Sequence, residues 1–413
     1  MFSSTNSDQS SPLVYFSESK IIRLVIMLNF YVLFTLYIFR YTGNRYVYIP
    51  FPPVEVASYF YLLAFIIFGI IIAYPQIQRA RTIVYLSSFC VFLLSYFVIT
   101  ILWAPNTTYS VMKTYYSIEL AVIYIMSVLL FSKSKQSVRL FYLVILAFVF
   151  TVSLELSYEY IIYSSLTSPH FTEYYITINR ILGVAIPISL FIWFTYKRTW
   201  IRASLAIFIL LQLFFMLQTG GRGPLIAAII STITYIIWVL IHKENWFSIR
   251  SFSSYISLSA ILTIIATLAT QTDGLDTLNR LQLLLSEGPG NSILSRFRMG
   301  QESIQLFTQS PIFGHGVGSF QTLVTIGQYS YPHNIFLEFL VESGFIGFVM
   351  LLSYVLAVFV VIVRYGRDQP IYSGLILSVF TFGLMNALVS GDIESNRRLF
   401  IYSATAFSLV KSE

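Results

Sequence analysis

Runs of about twenty apolar residues recur along the whole chain, and they limit the folds open to it more than any motif does. A helix that crosses a bilayer needs about 20 mostly apolar residues. In lipid its backbone polar groups must be satisfied within the segment. Such runs are expected at 21–39, 58–74, 83–103, 115–131, 138–156, 176–194, 201–218, 223–241, 252–270, 344–364, 370–390 and, shortest, 398–411. Composition agrees: 57% of the 413 residues are hydrophobic and 10% are charged, where a soluble domain carries about a quarter charged. The expected fold class is an all-α integral membrane protein with about 12 transmembrane helices.

Lys and Arg in short loops set the orientation. With the N-terminus in the cytoplasm, Arg79 and Arg81, Lys133, Lys135 and Arg139, Lys197, Arg198 and Arg202, Lys243 and Arg250, and Arg364 and Arg367 all fall on the cytoplasmic side. Residues 1–19, polar and Ser-rich, read as a disordered cytoplasmic tail. Residues 20–270 then hold spans one to nine, and 344–413 hold spans ten to twelve. Between them 271–343 forms a large extracytoplasmic loop of short helices, too long to be an idle turn. The first apolar run has no small-residue cleavage site after it and reads as an uncleaved signal anchor. A lone cysteine, Cys90, permits no intrachain disulfide. The absence of a basic tail or aromatic-basic platform argues against nucleic acid as a partner.

This orientation leaves some cations outside. Arg40, Arg45 and Lys113 lie near span ends and read as headgroup anchors. Arg180, Arg222, Arg280, Arg296, Arg298, Arg397 and Arg398 have no topological use, and burying such charges is costly. As a set they point to a site for a polyanion, most simply a phosphate or diphosphate.

Four stretches carry the candidate chemistry. In "LQTGGRGPLIAAII", Arg222 stands where a helix begins, so a full charge adds to the free N–H groups of a helix N-terminus. In "NRILG", Arg180 lies one turn inside a span and requires a polar cavity or a partner such as Glu173 or Glu155. In "YPHNIFLEFLVESGFIG", Asn334, Glu338 and Glu342 form a stripe at i, i+4 and i+8, and His333 stands at the helix start. That histidine suits activation of a hydroxyl, binding of phosphate as a cation, or capping of the helix. In "SGDIESNRRLF", Asp392, Glu394, Arg397 and Arg398 crowd one turn, which reads first as mutual ion pairing and second as part of a sugar or phosphate site. A fifth stretch, "SRFRMGQESIQLF", aligns Phe297, Ile304 and Phe307 on one helical face and Arg298, Glu302 and Gln305 on another. No Asp-x-Asp pair, metal-spaced cluster or Walker loop occurs, so metal-independent and cofactor-independent chemistry is expected.

"GGRGPL" entering a span, "RMGQESIQLFTQSPIFGHGVGSF" in the large loop and "PHNIFLEFLVESGFIG" before the next span resemble the O-antigen ligase/polymerase superfamily. His333-Asn334, nine residues, Gly344, two residues, Gly347 fits its His-Asn signature, and Arg298, fifteen residues, Gly314 fits its Arg-to-Gly spacing. The chain departs from the pattern in carrying Gly221 where a serine precedes the arginine. The resemblance implies a GT-C-like glycosyltransferase in the bacterial inner membrane, acting at the outer face on a glycan carried by undecaprenyl diphosphate. It implies a Wzy-type polymerase that extends lipid-linked repeat units, or a WaaL-type ligase that moves the chain onto lipid A–core; the last turn is closer to the polymerases. A chain-length regulator protein is left open as a further partner. His333, Arg222 and Arg298 are then expected to be catalytic. Arg180, Asn334, Glu338, Arg280, Arg296 and Arg397 are expected to bind substrate. A secondary transporter is the contrasting reading, but it requires internal repeats and binding groups near the midplane.

Overall fold

The computed structural model describes residues 28, 31–32, 35, 81–105, 107–132, 134–163, 169–242, 291–325 and 329–410. The chain divides into two compact units, Met1–Ile72 and Ala73–Glu413. The described residues of the first unit are helical. In the second, every regular element among the described residues is a helix. They are α1 (Arg81–Ile99, extended by a 3-10 turn Thr100–Trp103), α2 (Thr108–Phe131), α3 (Lys135–Tyr163), α4 (Pro169–Thr195), α5 (Thr199–Gln218) and α6 (Arg222–His242). There follow α7 (Asn291–Gln309), α8 (Ser319–Leu323), α9 (Ile335–Gly366), α10 (Pro370–Val389) and α11 (Arg397–Ala404, continued as a 3-10 turn Thr405–Leu409).

Eight of these, α1 to α6, α9 and α10, are long and apolar enough to cross a membrane. They match eight of the expected spans. The runs at 58–74 and 252–270 lie outside the described residues, as does most of 21–39. The run at 398–411 folds differently: α11 has eight residues and its 3-10 extension five, short of the roughly 17 a span needs. The segment is buried throughout. Its hydroxyls meet tyrosines of three helices: Tyr142 with Thr405 at 3.0 Å, Tyr372 with Ser408 at 2.8 Å, and Tyr354 with Ser403. A chain with that many hydroxyls is satisfied inside the bundle, not against lipid.

Small residues let the helices approach closely. A Cβ on Gly374 of α10 would stand 3.1 Å from Trp238 of α6, and one on Gly183 of α4 would stand 2.8 Å from the Phe382 ring of α10. The α6–α10 seam is fastened where Trp238 Nε1 donates to Ser373 Oγ at 2.9 Å.

α9 is broken at Gly344, whose φ of 68° and ψ of −165° interrupt the helix. The interruption frees backbone groups that an apolar environment would leave unsatisfied. The 310–316 turn supplies their partners. His315 N donates to Val341 O and Gly316 N to Glu342 O, each at 2.9 Å, while Phe345 N donates to Pro311 O at 2.8 Å. The Gly-rich turn is therefore part of the α9 architecture. His315 holds it from the other side, with Nε2 2.8 Å from Leu306 O.

Candidate active site

The start of α9, the N-terminal half of α4, the α5–α6 turn and the end of α10 meet at one end of the bundle. Asn334 is the α9 N-cap: Oδ1 accepts from Phe336 N at 2.9 Å and Leu337 N at 3.2 Å. Such a cap satisfies orphan donors of the first turn. Its Nδ2 donates to Leu388 O at 3.0 Å and ties α9 to the end of α10. Helix capping therefore falls to Asn334 and leaves His333 free of that task.

His333 lies just before the cap with a φ of 58°, the one non-glycine with positive φ among the described residues. Such a conformation is costly for a side-chain-bearing residue and recurs at functional sites. Its ring packs edge-on against Tyr331 at 4.7 Å. Its Nδ1 is buried and has no hydrogen-bond partner among the described residues. Burial pushes the imidazole down to about 4, Arg296 and Arg180 push the same way, and Asp392 opposes them. At neutral pH the ring is uncharged and able to accept a proton.

Arg180 of α4 is 4% exposed, and its partners are backbone carbonyls. Its Nη2 donates to Ser390 O at 2.7 Å and Asn386 O at 3.2 Å, and its Nη1 to Ser395 O at 3.3 Å. The guanidinium thus caps the C-terminus of α10, where free carbonyls favour a cation. The expected carboxylate partner is replaced by these carbonyls, and the expected substrate contact has both terminal nitrogens already engaged.

Arg222 opens α6 as expected. Of the two glycines before it, Gly220 has a φ of 81° and Gly221 stands against Asn179 of α4. A Cβ on Gly221 would fall 2.0 Å from Asn179 Nδ2, while Asn179 Oδ1 accepts from Thr219 Oγ1 at 2.8 Å. No serine fits at Gly221 while Asn179 stands there, which accounts for the departure from the family pattern.

The structure separates the two arginines of α7. Two residues rotate a helix by about 200°, so Arg296 and Arg298 lie on opposite faces. Arg296 is half-buried: burial disfavours its charge, Tyr175 opposes that effect, and the Arg222 guanidinium adds to it. Its charge also reaches His333. Arg298 is exposed on the other face of α7, and of the two it is Arg296 whose charge acts on His333. The faces of α7 differ from expectation for the same reason. Met299 and Leu306 turn inward against Phe320 and Val341, whereas Phe297 and Ile304 are exposed. Glu302 also turns inward, its Oε1 accepting from the Thr325 amide and, at 2.6 Å, the Thr325 hydroxyl.

The 390–398 turn is ordered by side chains. Asp392 Oδ1 accepts from Ser395 N at 2.9 Å, and Asn396 Nδ2 donates to Ser390 O at 3.0 Å. Arg397 lies 3.9 Å from Glu394, so the expected ion pairing of this turn is present. Arg397 is buried with it. Burial pushes Arg398 down to about 9, with Arg180 and Arg397 adding repulsion, and it stays cationic at neutral pH.

Glu338 faces the interior of the bundle. It is fully buried, and its Oε1 accepts from Lys113 Nζ at 2.5 Å and from Ile393 N at 3.2 Å. Lys113 is accordingly no headgroup anchor: it is 1% exposed, and it also meets both oxygens of Glu342 at 2.7 and 2.8 Å. Sequence reasoning missed this cluster, although two carboxylates one turn apart in an apolar helix demand a cation. Arg280 lies outside the described residues.

The Arg296 charge acts on the half-buried His333 imidazole and on the Arg222 guanidinium, which stands at the N-terminus of α6. An uncharged imidazole can accept a proton, and guanidinium groups at a helix N-terminus can bind an anion. A search among curated proteins finds no match to the chain. Residues 207–352 match the family model described as O-antigen ligase; this segment carries Arg222, Arg296 and the His333–Asn334 pair and, through that match, is similar to the O-antigen ligase/polymerase superfamily.

Proposed function

We propose that the chain is a polymerase of this superfamily, which transfers a growing glycan from undecaprenyl diphosphate to a lipid-linked repeat unit at the outer face of a bacterial cytoplasmic membrane. The observation that carries the reading is the half-buried His333, held at a φ of 58° with its Nδ1 without a hydrogen-bond partner among the described residues, with the Arg296 charge acting on it. Arg222, Arg296 and the α6 N-terminus bind the diphosphate and stabilise the charge it gains on leaving. His333 takes the proton of the acceptor hydroxyl. The acceptor oxygen bonds to the anomeric carbon, the bond to the diphosphate oxygen breaks with its electron pair, and a single displacement inverts the anomeric centre. Asn334 holds the histidine's helix start in place, and Arg180 and Arg397 act on the site through the 390–398 turn.

The matched family's description favours a ligase as the second reading. Purified protein in lipid nanodiscs, given radiolabelled undecaprenyl-diphosphate repeat units, distinguishes them. Lengthening of the labelled glycan establishes a polymerase. Transfer that requires added lipid A–core establishes a ligase. No product under either condition overturns the glycosyl-transfer reading and favours a transporter.

A further inference from the structure

A buried charged cluster outside the proposed reaction is formed by Lys113, Glu338 and Glu342. An ammonium and two carboxylates, all at most 1% exposed, meet within 2.8 Å. Such a cluster is expensive to bury and is retained where its geometry is needed. Its connections define what it holds. Glu338 Oε1 takes the Ile393 amide and so grips the 390–398 turn. The same turn supplies carbonyls to Arg180, and its Asp392 acts electrostatically on His333. Glu342 sits two residues before the α9 break, and its carbonyl accepts Gly316 N, so the Gly-rich turn is gripped as well. Tyr109, one turn before Lys113 on α2, places its ring 5.6 Å from Nζ and its hydroxyl 3.5 Å from Asp392. Phe97 of α1 lies 5.9 Å from the same nitrogen.

The geometry points to Lys113 as a positioning residue for glycosyl transfer: through Glu338 and Glu342 it holds the first part of α9, Ile335 to the break at Gly344, which follows His333, in register with the 390–398 turn. Lys113 touches none of the proposed reacting groups, and the proposal rests on the glycosyl-transfer reading above. Glu338 belongs to the same device. With one oxygen engaged by Lys113 and Ile393, and the other buried without a partner, its carboxylate is an internal support and not a sugar contact.

The test compares Lys113→Met, Lys113→Arg and the double variant Lys113→Met/Glu342→Gln. The double variant keeps the formal charge of the cluster, and so keeps the proposal testable if the single variant fails to fold. In each folded variant, kcat and donor KM are measured alongside amide hydrogen exchange. Removal of the ammonium is expected to lower kcat at least about tenfold with donor KM within about twofold, because positioning acts on the transition state. Faster exchange is expected to be confined to about residues 331–345 and 390–398. Lys113→Arg, which keeps the ion pairs, is expected to restore kcat to within about threefold of the parent. Three results overturn the proposal: parental kcat in the folded double variant, a donor KM raised about tenfold or more, or exchange accelerated evenly across all helices. If the parent protein transfers no sugar, the enzyme reading fails, and the exchange data still report separately on the clamp.

Discussion

Gly314 and Gly344 stand backbone to backbone: a Cβ on Gly314 would fall 2.5 Å from the Gly344 nitrogen, and a Cβ on Gly344 would fall 2.6 Å from the Gly314 nitrogen. Both have positive φ, of 71° and 68°. The two glycines that end the Arg-to-Gly spacing and follow the His-Asn pair are thus one contact, in which the 310–316 turn enters the break in α9.

Gly344→Ala is therefore expected to destabilise the protein by at least about 1–3 kcal/mol, from the left-handed backbone and the contact together. Gly314→Ala is expected to do the same. Thermal unfolding in detergent, with the parent alongside, measures both. An unchanged midpoint would remove the turn-in-break account.

His333 should set an unusual acid limb. With its folded value pushed down to about 4 by burial, kcat/KM is expected to stay level as pH falls through 6.5 and to drop only towards 4. In the donor complex the diphosphate anion favours the imidazolium, so the limb in kcat should lie higher. The stability sign follows the same linkage. The unfolded chain takes up this proton near 6.5 and the folded one does not, so the contribution is full above 6.5 and is lost as pH falls towards 4. His333→Ala should cost about 10²–10⁴ in kcat, measured by single-turnover transfer of labelled glycan.

The two α7 arginines should behave differently. Arg296→Ala is expected to lower kcat by about 10²–10³, the cost of losing one preorganised charge at a leaving group. Arg298→Ala, on the exposed face, is expected to stay within about threefold of the parent. Equal losses in the donor-turnover assay would mean that both arginines reach the diphosphate.

Arg180→Lys separates capping from substrate contact. One ammonium cannot reproduce a fork shared among the carbonyls of Asn386, Ser390 and Ser395. The variant is expected to lose about 1–3 kcal/mol of stability. Polymer in cells should fall in step with the amount of folded protein, while the specific activity of what folds changes little. Quantitative blotting beside the polymer measurement checks this.

Much of this protein was determined by sequence alone. The apolar runs specify membrane-length helices because a bilayer accepts little else, and the match extends to eight elements. The His333–Asn334 pair, Arg222 and the Gly344 signature are legible because capping, helix-end charge and positive φ are local properties of the chain. What tertiary structure decided is where each charge goes. Local sequence places Arg296 and Arg298 two residues apart, and only the packing of Met299 and Leu306 against Phe320 and Val341 decides that Arg296 is half-buried and Arg298 exposed. Arg180 reads as an anion ligand until the end of α10 arrives to take it, and Lys113 reads as a surface anchor until α9, 225 residues later in numbering from Glu338, surrounds it with carboxylates. A charge in a low-dielectric interior is defined by its partners, and partners far apart in the chain meet only when the bundle closes.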